Sequence, residues 1–343
     1  MAEISRRQFI EAAGLAAAAP AFANAAAAAQ RGENRADAAR RTTRAADLSD
    51  AELEAMFKRC SNTGKWGPND EKGTLNYITP AKRIAAAALV KTGDVVSVGR
   101  DLSTKQTKTD NRPMTHILLY SDGPSAGDYY TFAPHGMRMT HMDSLAHFSW
   151  HDQFYNGRKR SQTLSPGRAS WGSIFAQKDG IFTRGVLLDI ASARGESWLA
   201  PDQGVFAADL DAAEARQQVR VEPGDAIFVY TGLQKREAAQ GPENLGQRVG
   251  IMPDAIRWMH ERRIAVYSGD CVDAFPNPYS VRYAIYFHAI ALAAMGLILL
   301  DIPALEPLVE VCNELERSDF LLTMAPLRIR GGTGSPVNPI AIF

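Results

Sequence analysis

Short apolar runs rich in β-branched and aromatic residues alternate with amphipathic stretches along this chain, and this alternation limits the folds it can adopt. The runs that predict strands are residues 95–99, 116–120, 185–190, 225–232, 264–270 and 321–329. Helices are predicted at residues 80–91, 210–217 and 253–263, and in the last of these Ile256, Trp258 and Met259 are spaced for one buried face. A further helix is predicted after Ser49, since Glu52 follows three residues later as in a capping box. The mixture of strands and helices favours an α/β or α+β fold.

The chain is large enough for a substantial core, with 343 residues of which 45% are hydrophobic. No repeat of 20 to 50 residues and no linker follow residue 49, so residues 49–343 are predicted to form one catalytic domain. Lys plus Arg equals Asp plus Glu at 38 each, which leaves no net field to attract nucleic acid or an anionic membrane. The expected partner is therefore a small molecule.

The N-terminus carries a pattern of its own, in which Arg6 and Arg7 precede an Ala-rich, weakly apolar stretch. This resembles a twin-arginine export signal and predicts a signal peptide over residues 1–25, a flexible tether over residues 26–48 and a periplasmic location. An Ala-rich N-terminal helix would give a similar composition. No stable membrane anchor is expected, because the stretch is mostly alanine and is broken by Pro20.

Residues 135–151 read HGMRMTHMDSLAHFSWH and hold four of the seven histidines. His141 and Asp143 would share one face of an extended chain, and Asp143 and His147 would share one face of a helical turn. A strand running into a helix would therefore bring these three side chains together. Imidazole nitrogen and carboxylate oxygen suit a divalent metal such as Zn²⁺ or Mn²⁺, which lowers the pKa of a bound water towards about 7. A histidine-rich surface loop, or core histidines bonded to backbone, would show the same pattern.

Residues 137–147, MRMTHMDSLAH, resemble the signature HxGTHxDxPxH of the cyclase family, which includes kynurenine formamidases and isatin hydrolases. The matching residues are Thr140, His141, Asp143 and His147. Met137 stands where the family has its first histidine, and His135, two residues upstream, is the candidate substitute. Residues 66–80, 224–233, 266–276 and 324–342 resemble the longer-chain branch of the same family.

The resemblance implies an α/β fold of one domain, with a mixed β-sheet flanked by helices in the swivelling β/β/α arrangement, and a homo-oligomer. It implies that His141 and Asp143 bind the metal, with His135 as a third ligand and His147 as the general acid/base. The family also has a downstream histidine and a carboxylate, here His288 and Asp301, and the resemblance implies that these two metal ligands close the site or hold a second ion. Asp301 replaces the usual glutamate, so a second metal would be held more weakly. Without the family pattern, His288 reads as a core histidine in an apolar segment.

The implied activity is that of a metal-dependent hydrolase that opens or cleaves a small amide, lactam or lactone. In the amide and the lactam the bond cleaved is a C–N bond other than a peptide bond. Two alternatives stay open: a cyclase or dehydratase on the same scaffold, and an exported metal- or ligand-binding protein that has lost activity. Met137 and Asp301 are the departures that keep the second alternative open. The sequence has no G-x-S-x-G motif, which argues against a serine hydrolase.

Three smaller features allow two interpretations each. Phe148 and Trp150 fit either a wall for an aromatic substrate or the core. Asp70 and Asn76 fit either substrate contacts or turn caps. The glycines of residues 331–334 favour a tight turn over a phosphate-binding loop, because no helix start follows them.

Overall fold

The strands and helices follow one another in the alternating order that the sequence predicts. The structure is a computed structural model that describes residues 48–279 and 281–343. Its strands are β1 (Val95–Ser97), β2 (Thr115–Tyr120), β3 (Ala126–Thr131), β4 (His141–Asp143), β5 (Gln153–Phe154), β6 (Arg158–Lys159), β7 (Leu164–Ser165), β8 (Arg168–Ala169), β9 (Ile181–Asp189), β10 (Gly204–Val205), β11 (Ala226–Tyr230), β12 (Gly250–Ile251), β13 (Val266–Gly269), β14 (Ile298–Asp301), β15 (Asp319–Met324), β16 (Gly334–Pro336) and β17 (Ile340–Ile342).

The α-helices are α1 (Asp50–Arg59), α2 (Pro80–Ala87), α3 (Arg160–Thr163), α4 (Ile190–Ala193), α5 (Ala207–Gln217), α6 (Leu233–Gln240), α7 (Pro253–Arg262), α8 (Tyr286–His288) and α9 (Glu306–Glu314). Short 3₁₀ helices cover Gly73–Tyr77, Tyr155–Gly157 and Ile174–Gln177, and a π-helix covers Ala289–Met295. The predicted signal peptide (residues 1–25) and all but the last residue of the predicted tether lie outside the described residues. Within the described part of the chain, no helix is long and apolar enough to cross a membrane.

A mixed sheet of nine strands forms the centre of the domain, in the order β1-β17-β15-β9-β11-β13-β14-β4-β16. The four strands β9, β11, β13 and β14 are parallel, and the strands on either side of them pair antiparallel. All five residues of β11, AIFVY, are buried, as expected for a parallel strand covered on both faces. These findings confirm the predicted mixed α/β fold of one domain.

The helix predictions are confirmed to within a few residues. α1 begins with the predicted capping box between Ser49 and Glu52. α7 buries Ile256, Trp258 and Met259, so its apolar spacing faces the core. α2 ends at Ala87, earlier than predicted, and is followed by a turn rather than a further helical turn.

Two strand predictions need correction. The strand predicted over residues 321–329 ends at Met324, and residues 325–329 take no regular structure. The strand over residues 116–120 exists as β2, but it pairs with β3 in a separate hairpin whose residues are all exposed.

The segment that leads into the parallel strand β14 is wound as a fully buried π-helix and closes at Gly296. Gly296 has a φ of +63°, and a Cβ there would lie 2.8 Å from the ring of Tyr155. Gly73 packs against the same point, since its own Cβ would lie 2.0 Å from the Gly296 carbonyl oxygen. This contact between two glycines sets the position from which β14 runs towards Asp301.

Candidate metal centre

The centre is built on β4, a strand of three residues between β14 and β16. Strand alternation puts the side chains of His141 and Asp143 on the same face. The register pairs Asp301 of β14 with His141, and Gly334 of β16 with Asp143. Asp301 is therefore a cross-strand neighbour of His141, while the position opposite Asp143 has no side chain.

Residues 144–147, after β4, form a turn and not the helix predicted from the sequence. The backbone N–H of Ser144 bonds to the carbonyl of Thr333 at 2.9 Å, and the N–H of His147 bonds to the carbonyl of Ser144 at 3.0 Å. The turn is instead held by bonds to distant backbone, since the N–H of Ala146 also bonds to the carbonyl of Gly172 at 3.0 Å. The turn still returns His147 to the cluster, with Nε2 lying 3.7 Å from Asp143 Oδ2.

His135 reaches the same carboxylate from the loop that follows β3. Its Nδ1 lies 2.9 Å from Asp143 Oδ1, and its Nε2 lies 3.1 Å from the hydroxyl of Thr333. The ring stacks on that of His147 with centroids 3.7 Å apart. A Cβ at Gly334 would lie 2.5 Å from Cε1 of His135, so the glycine leaves the space that the imidazole fills.

The orientation of His141 follows from its own backbone. Its Nδ1 donates to the carbonyl of Met139 at 2.8 Å, which leaves Nε2 without a proton in the neutral ring. That Nε2 lies 3.6 Å from Asp143 Oδ1. The lone pair therefore points to the side of the site where the carboxylate lies.

His288, at the end of α8, also joins the cluster. Its Nδ1 bonds to the carboxylate of Asp273, which also accepts the backbone N–H of Phe287 at 2.8 Å. Its Nε2 lies 3.2 Å from Asp301 Oδ2 and 3.7 Å from Asp143 Oδ2. His288 therefore sits at the cluster, where Asp273 fixes the orientation of its ring.

The charges in the cluster are strongly coupled. Burial acts to raise the pKa of Asp143, but the four surrounding imidazoles outweigh it and hold this pKa well below its usual range. Burial lowers the pKa of His147 to about 4, against the attraction of Asp143. Burial also acts to lower the pKa of His288, but Asp273 and Asp301 outweigh it and raise this pKa well above its usual value. At neutral pH, then, Asp143 is ionised and His147 is neutral.

The buried acceptors of the cluster fit a cation. Both carboxylate oxygens of Asp143 and Oδ1 of Asp301 are buried without a hydrogen-bond partner, and so is Nδ1 of His135. The 2.9 Å contact between His135 and Asp143 thus lacks the geometry of a hydrogen bond. Two groups have ligand atoms within 4.8 Å of one another: His135, Asp143 and His147 in one, His141, Asp143 and Asp301 in the other. Asp143 belongs to both groups, so its carboxylate could be a ligand of a cation held by either group.

Comparison with known proteins places this centre in a family. The sequence model of the Cyclase family matches residues 101–274, which include β4 and the cluster residues from His135 to His147. The chain belongs to the cyclase family. A comparison with curated proteins gives no match.

Several solved structures share the fold. One, described as a novel cyclase, is 29% identical, with a TM-score of 0.75, and the match covers 84% of this chain and 99% of that one. Isatin hydrolase A from Labrenzia aggregata, bound to benzyl benzoate, is 16% identical with a TM-score of 0.53, over 77% of this chain and 98% of its own. Isatin hydrolase A from Ralstonia solanacearum is 18% identical with a TM-score of 0.52, over 77% and 97%. The identities of the last two support the fold alone.

All six site residues predicted from the sequence come together, namely His135, His141, Asp143, His147, His288 and Asp301. Met137, at the position of the first histidine of the cyclase signature, lines a small cavity beside the cluster. The sequence analysis did not identify Asp273, Thr333 or Gly334 as part of the site. Asp273 lies in the stretch 266–276, which resembles the family, and Thr333 and Gly334 lie in the segment interpreted as a tight turn. These patterns marked the segments but did not indicate that the three residues contact the site.

Contacts decide between the alternatives for Asp70, Asn76 and Trp150, while Phe148 still fits both. Asp70 accepts the N–H of Gly73 at 2.9 Å and the side-chain amide of Asn76 at 2.8 Å, so both cap a turn. Trp150 is buried and stacks on the ring of Phe57 with centroids 4.8 Å apart, which places it in the core. Phe148 is half-buried and lies 5.9 Å from the ring of His288, at the edge of the centre.

Proposed function

We propose that this cyclase-family protein is a metal-dependent hydrolase that opens or cleaves a small amide, lactam or lactone. The observation that carries the proposal is Asp143, a fully buried, ionised carboxylate with no hydrogen-bond donor for either oxygen. A buried carboxylate is costly unless a partner charge and hydrogen bonds offset its desolvation. Neither oxygen of Asp143 accepts a hydrogen bond, and a divalent cation would satisfy both oxygens.

The residues suited to holding the cation are His135, His141, Asp143 and Asp301. Imidazole nitrogen with carboxylate oxygen suits Zn²⁺ or Mn²⁺. When bound, such a cation polarises a carbonyl group and lowers the pKa of water. Asp273 supports this set indirectly, because it fixes the ring of His288 with Nε2 towards Asp143 and Asp301.

His147 is the candidate general acid/base. Its lowered pKa keeps the ring neutral at pH 7, so Nε2 can accept a proton from the attacking water. Asp143 Oδ2, 3.7 Å away, stabilises the imidazolium that results. The same nitrogen can then return the proton to the leaving nitrogen or oxygen. Stacking on His135 holds the ring in place for both steps.

We also propose that the protein is exported to the periplasm by the twin-arginine route, and that it forms a homo-oligomer. Support for export is the Arg6 and Arg7 pair before the Ala-rich stretch. Support for association is the exposed hairpin of β2 and β3, where Ile117 and Leu119 are 47% and 55% exposed on one face.

The test of the proposed activity is metal analysis of the purified protein, followed by turnover of N-formylkynurenine, isatin and simple lactones in ¹⁸O-labelled water. We expect bound Zn²⁺ or Mn²⁺ and one labelled oxygen in the new carboxylate. A product without the label would instead indicate a cyclase or dehydratase. A metal-loaded protein that turns over none of these compounds would indicate a binding protein.

A further inference from the structure

Two arginines, Arg100 and Arg138, contribute to the wall of a cavity of about 540 Å³. A smaller cavity of about 150 Å³ is lined by His135, Met137 and Arg138. Arg138 lines both cavities, so the two share a wall residue. In the sequence, Arg138 lies three positions from His135 and three from His141.

The two guanidinium groups are mostly withdrawn from solvent. The side chain of Arg100 is 9% exposed and that of Arg138 is 21% exposed. Both approach one carboxylate, that of Glu237 on α6: Nη1 of Arg138 lies 2.8 Å from Oε1, and Nη1 of Arg100 lies 3.8 Å from Oε2. Glu237 Oε1 also accepts the backbone N–H of Glu243 at 3.0 Å. Nε and Nη2 of both arginines are buried without a hydrogen-bond partner.

One shared carboxylate cannot satisfy two guanidinium groups, each of which carries five N–H donors in a planar fork. Across residues 48–279 and 281–343, Glu237 is the one carboxylate within 4.0 Å of either arginine. Asp270 and Glu306 act on Arg100 from further away. The oxygens of Asp270 already accept from Thr231 and Leu233. Donors buried without acceptors are costly, so this wall is suited to a ligand that brings acceptors.

Backbone hydrogen bonds tie Arg100 to the two strands that carry the metal centre. The N–H of Arg100 donates to the hydroxyl of Thr140 at 2.9 Å, and that hydroxyl donates to the carbonyl of Ile302 at 2.8 Å. Thr140 precedes His141, and Ile302 follows Asp301. A ligand held by the arginines is therefore held at a set place relative to the cluster.

We propose that Arg100 and Arg138 form a carboxylate-binding site, and that the substrate carries a carboxylate separate from the bond that is cleaved. The planar fork of a guanidinium group matches the two oxygens of a carboxylate. The part of the proposal that concerns the substrate rests on the proposed hydrolase function, whereas the binding site itself does not.

The binding test uses benzoate, with benzamide as its uncharged counterpart, measured by titration calorimetry. We expect wild type to bind benzoate at least about tenfold more tightly than benzamide. This preference should persist after chelation and be lost in Arg138→Gln. A preference that disappears on chelation and survives in Arg138→Gln would show that benzoate binds the metal, and would overturn the proposal. Equal binding of the two probes by wild type would also overturn it.

Three further variants keep the test sharp. Arg220→Gln removes an exposed arginine paired with Glu214, so its binding should match wild type. Arg138→Lys keeps the charge and loses the fork, so it should bind benzoate with intermediate affinity and serves if Arg138→Gln does not fold. Glu237→Gln removes the competing carboxylate and should tighten benzoate binding. Weaker binding in Glu237→Gln, with an unchanged melting temperature, would contradict the proposal.

Turnover tests the substrate class. Formanilide is compared with the N-formyl derivatives of 2-, 3- and 4-aminobenzoate, which carry the carboxylate at three positions. We expect kcat/KM for one of the three to exceed that for formanilide at least about tenfold, and Arg138→Gln to reduce this ratio by a similar factor. Preference for formanilide over all three would overturn the substrate assignment. If none of the four compounds is hydrolysed, the hydrolase proposal fails, while the benzoate measurements still decide the binding site.

Discussion

At the scale of single residues, the centre is organised around a buried carboxylate that imidazoles surround and that accepts no hydrogen bond. In three of the four imidazoles, the ring nitrogen that points away from Asp143 contacts another group. These groups are the Met139 carbonyl for His141, the Thr333 hydroxyl for His135 and the Asp273 carboxylate for His288. Such contacts set which nitrogen faces a cation. His147 differs, because stacking on another ring holds it in place.

His147→Ala separates the two roles that the geometry allows for this residue. We expect the variant to keep its metal and to lose about 10² to 10⁴ in turnover, since a general acid/base contributes that much. Metal content and kcat are measured together, with His116→Ala, in the exposed hairpin, as the matched histidine control. Loss of metal in proportion to loss of activity would make His147 a ligand.

Gly334→Ala tests whether His135 takes the place of the histidine that the cyclase signature has at Met137. The added Cβ would lie 2.5 Å from Cε1 of His135 and should displace this ring from Asp143. We expect metal affinity to fall about 10- to 100-fold, as when an orienting partner is lost. Gly246→Ala is the control, since its Cβ would meet at 3.4 Å only the flexible side chain of Asn244. Unchanged affinity in Gly334→Ala would remove His135 from the ligand set.

At the scale of elements, the hairpin of β2 and β3 is notable because all of its strand residues are exposed, including large apolar ones. Ile117, Leu119 and Tyr129 are about half-exposed, and the register places them on one face. A two-stranded hairpin with no packed face is marginally stable in water, so a second copy of the chain is the expected cover.

Leu119→Lys combined with Tyr129→Lys should therefore dissociate the oligomer into monomers, because it places two charges in the buried contact. Molar mass from light scattering after size exclusion gives the result. Ser121→Lys, in the turn of the same hairpin, adds a charge outside the strands and should leave the mass unchanged. A double variant with the mass of wild type would exclude this face as the contact.

The elements also show how far sequence patterns reach. Residues 225–232 and 264–270 were predicted correctly because a buried parallel strand reads as a continuous apolar run. Residues 116–120 also form an apolar run, but they lie in an exposed hairpin. An apolar run predicts a strand and does not show whether other elements pack on it. The turn at residues 144–147 was predicted as a helix, because the spacing of Asp143 and His147 fits both and long-range bonds decide between them.

At the scale of the whole molecule, the cluster residues of the cyclase signature could be predicted, since they lie close together in the sequence. Asp273 and Gly334 could not, because their roles depend on which strands β4 joins. β14 and β16 come from residues 298–336, far along the chain from β4. No short-range pattern encodes that pairing.

Export concerns the chain as a whole, and Arg6 and Arg7 lie outside the described residues. Arg6→Lys with Arg7→Lys should leave uncleaved precursor in the cytoplasm, since the twin-arginine route reads the pair. Immunoblots of periplasmic and cytoplasmic fractions give the result, and Arg31→Lys, in the predicted tether, is the control. Mature protein at wild-type level in the periplasm of the double variant would contradict this expectation.

The metal content of Asp143→Asn, measured by mass spectrometry of the purified protein beside wild type, tests the central claim most directly. The amide keeps the shape of the side chain and removes the charge shared by both groups of ligands. We expect wild type to hold a divalent cation stoichiometrically and Asp143→Asn to lose both the cation and the activity, because a site with so few ligands cannot spare its central carboxylate. Stoichiometric metal in Asp143→Asn would contradict the account.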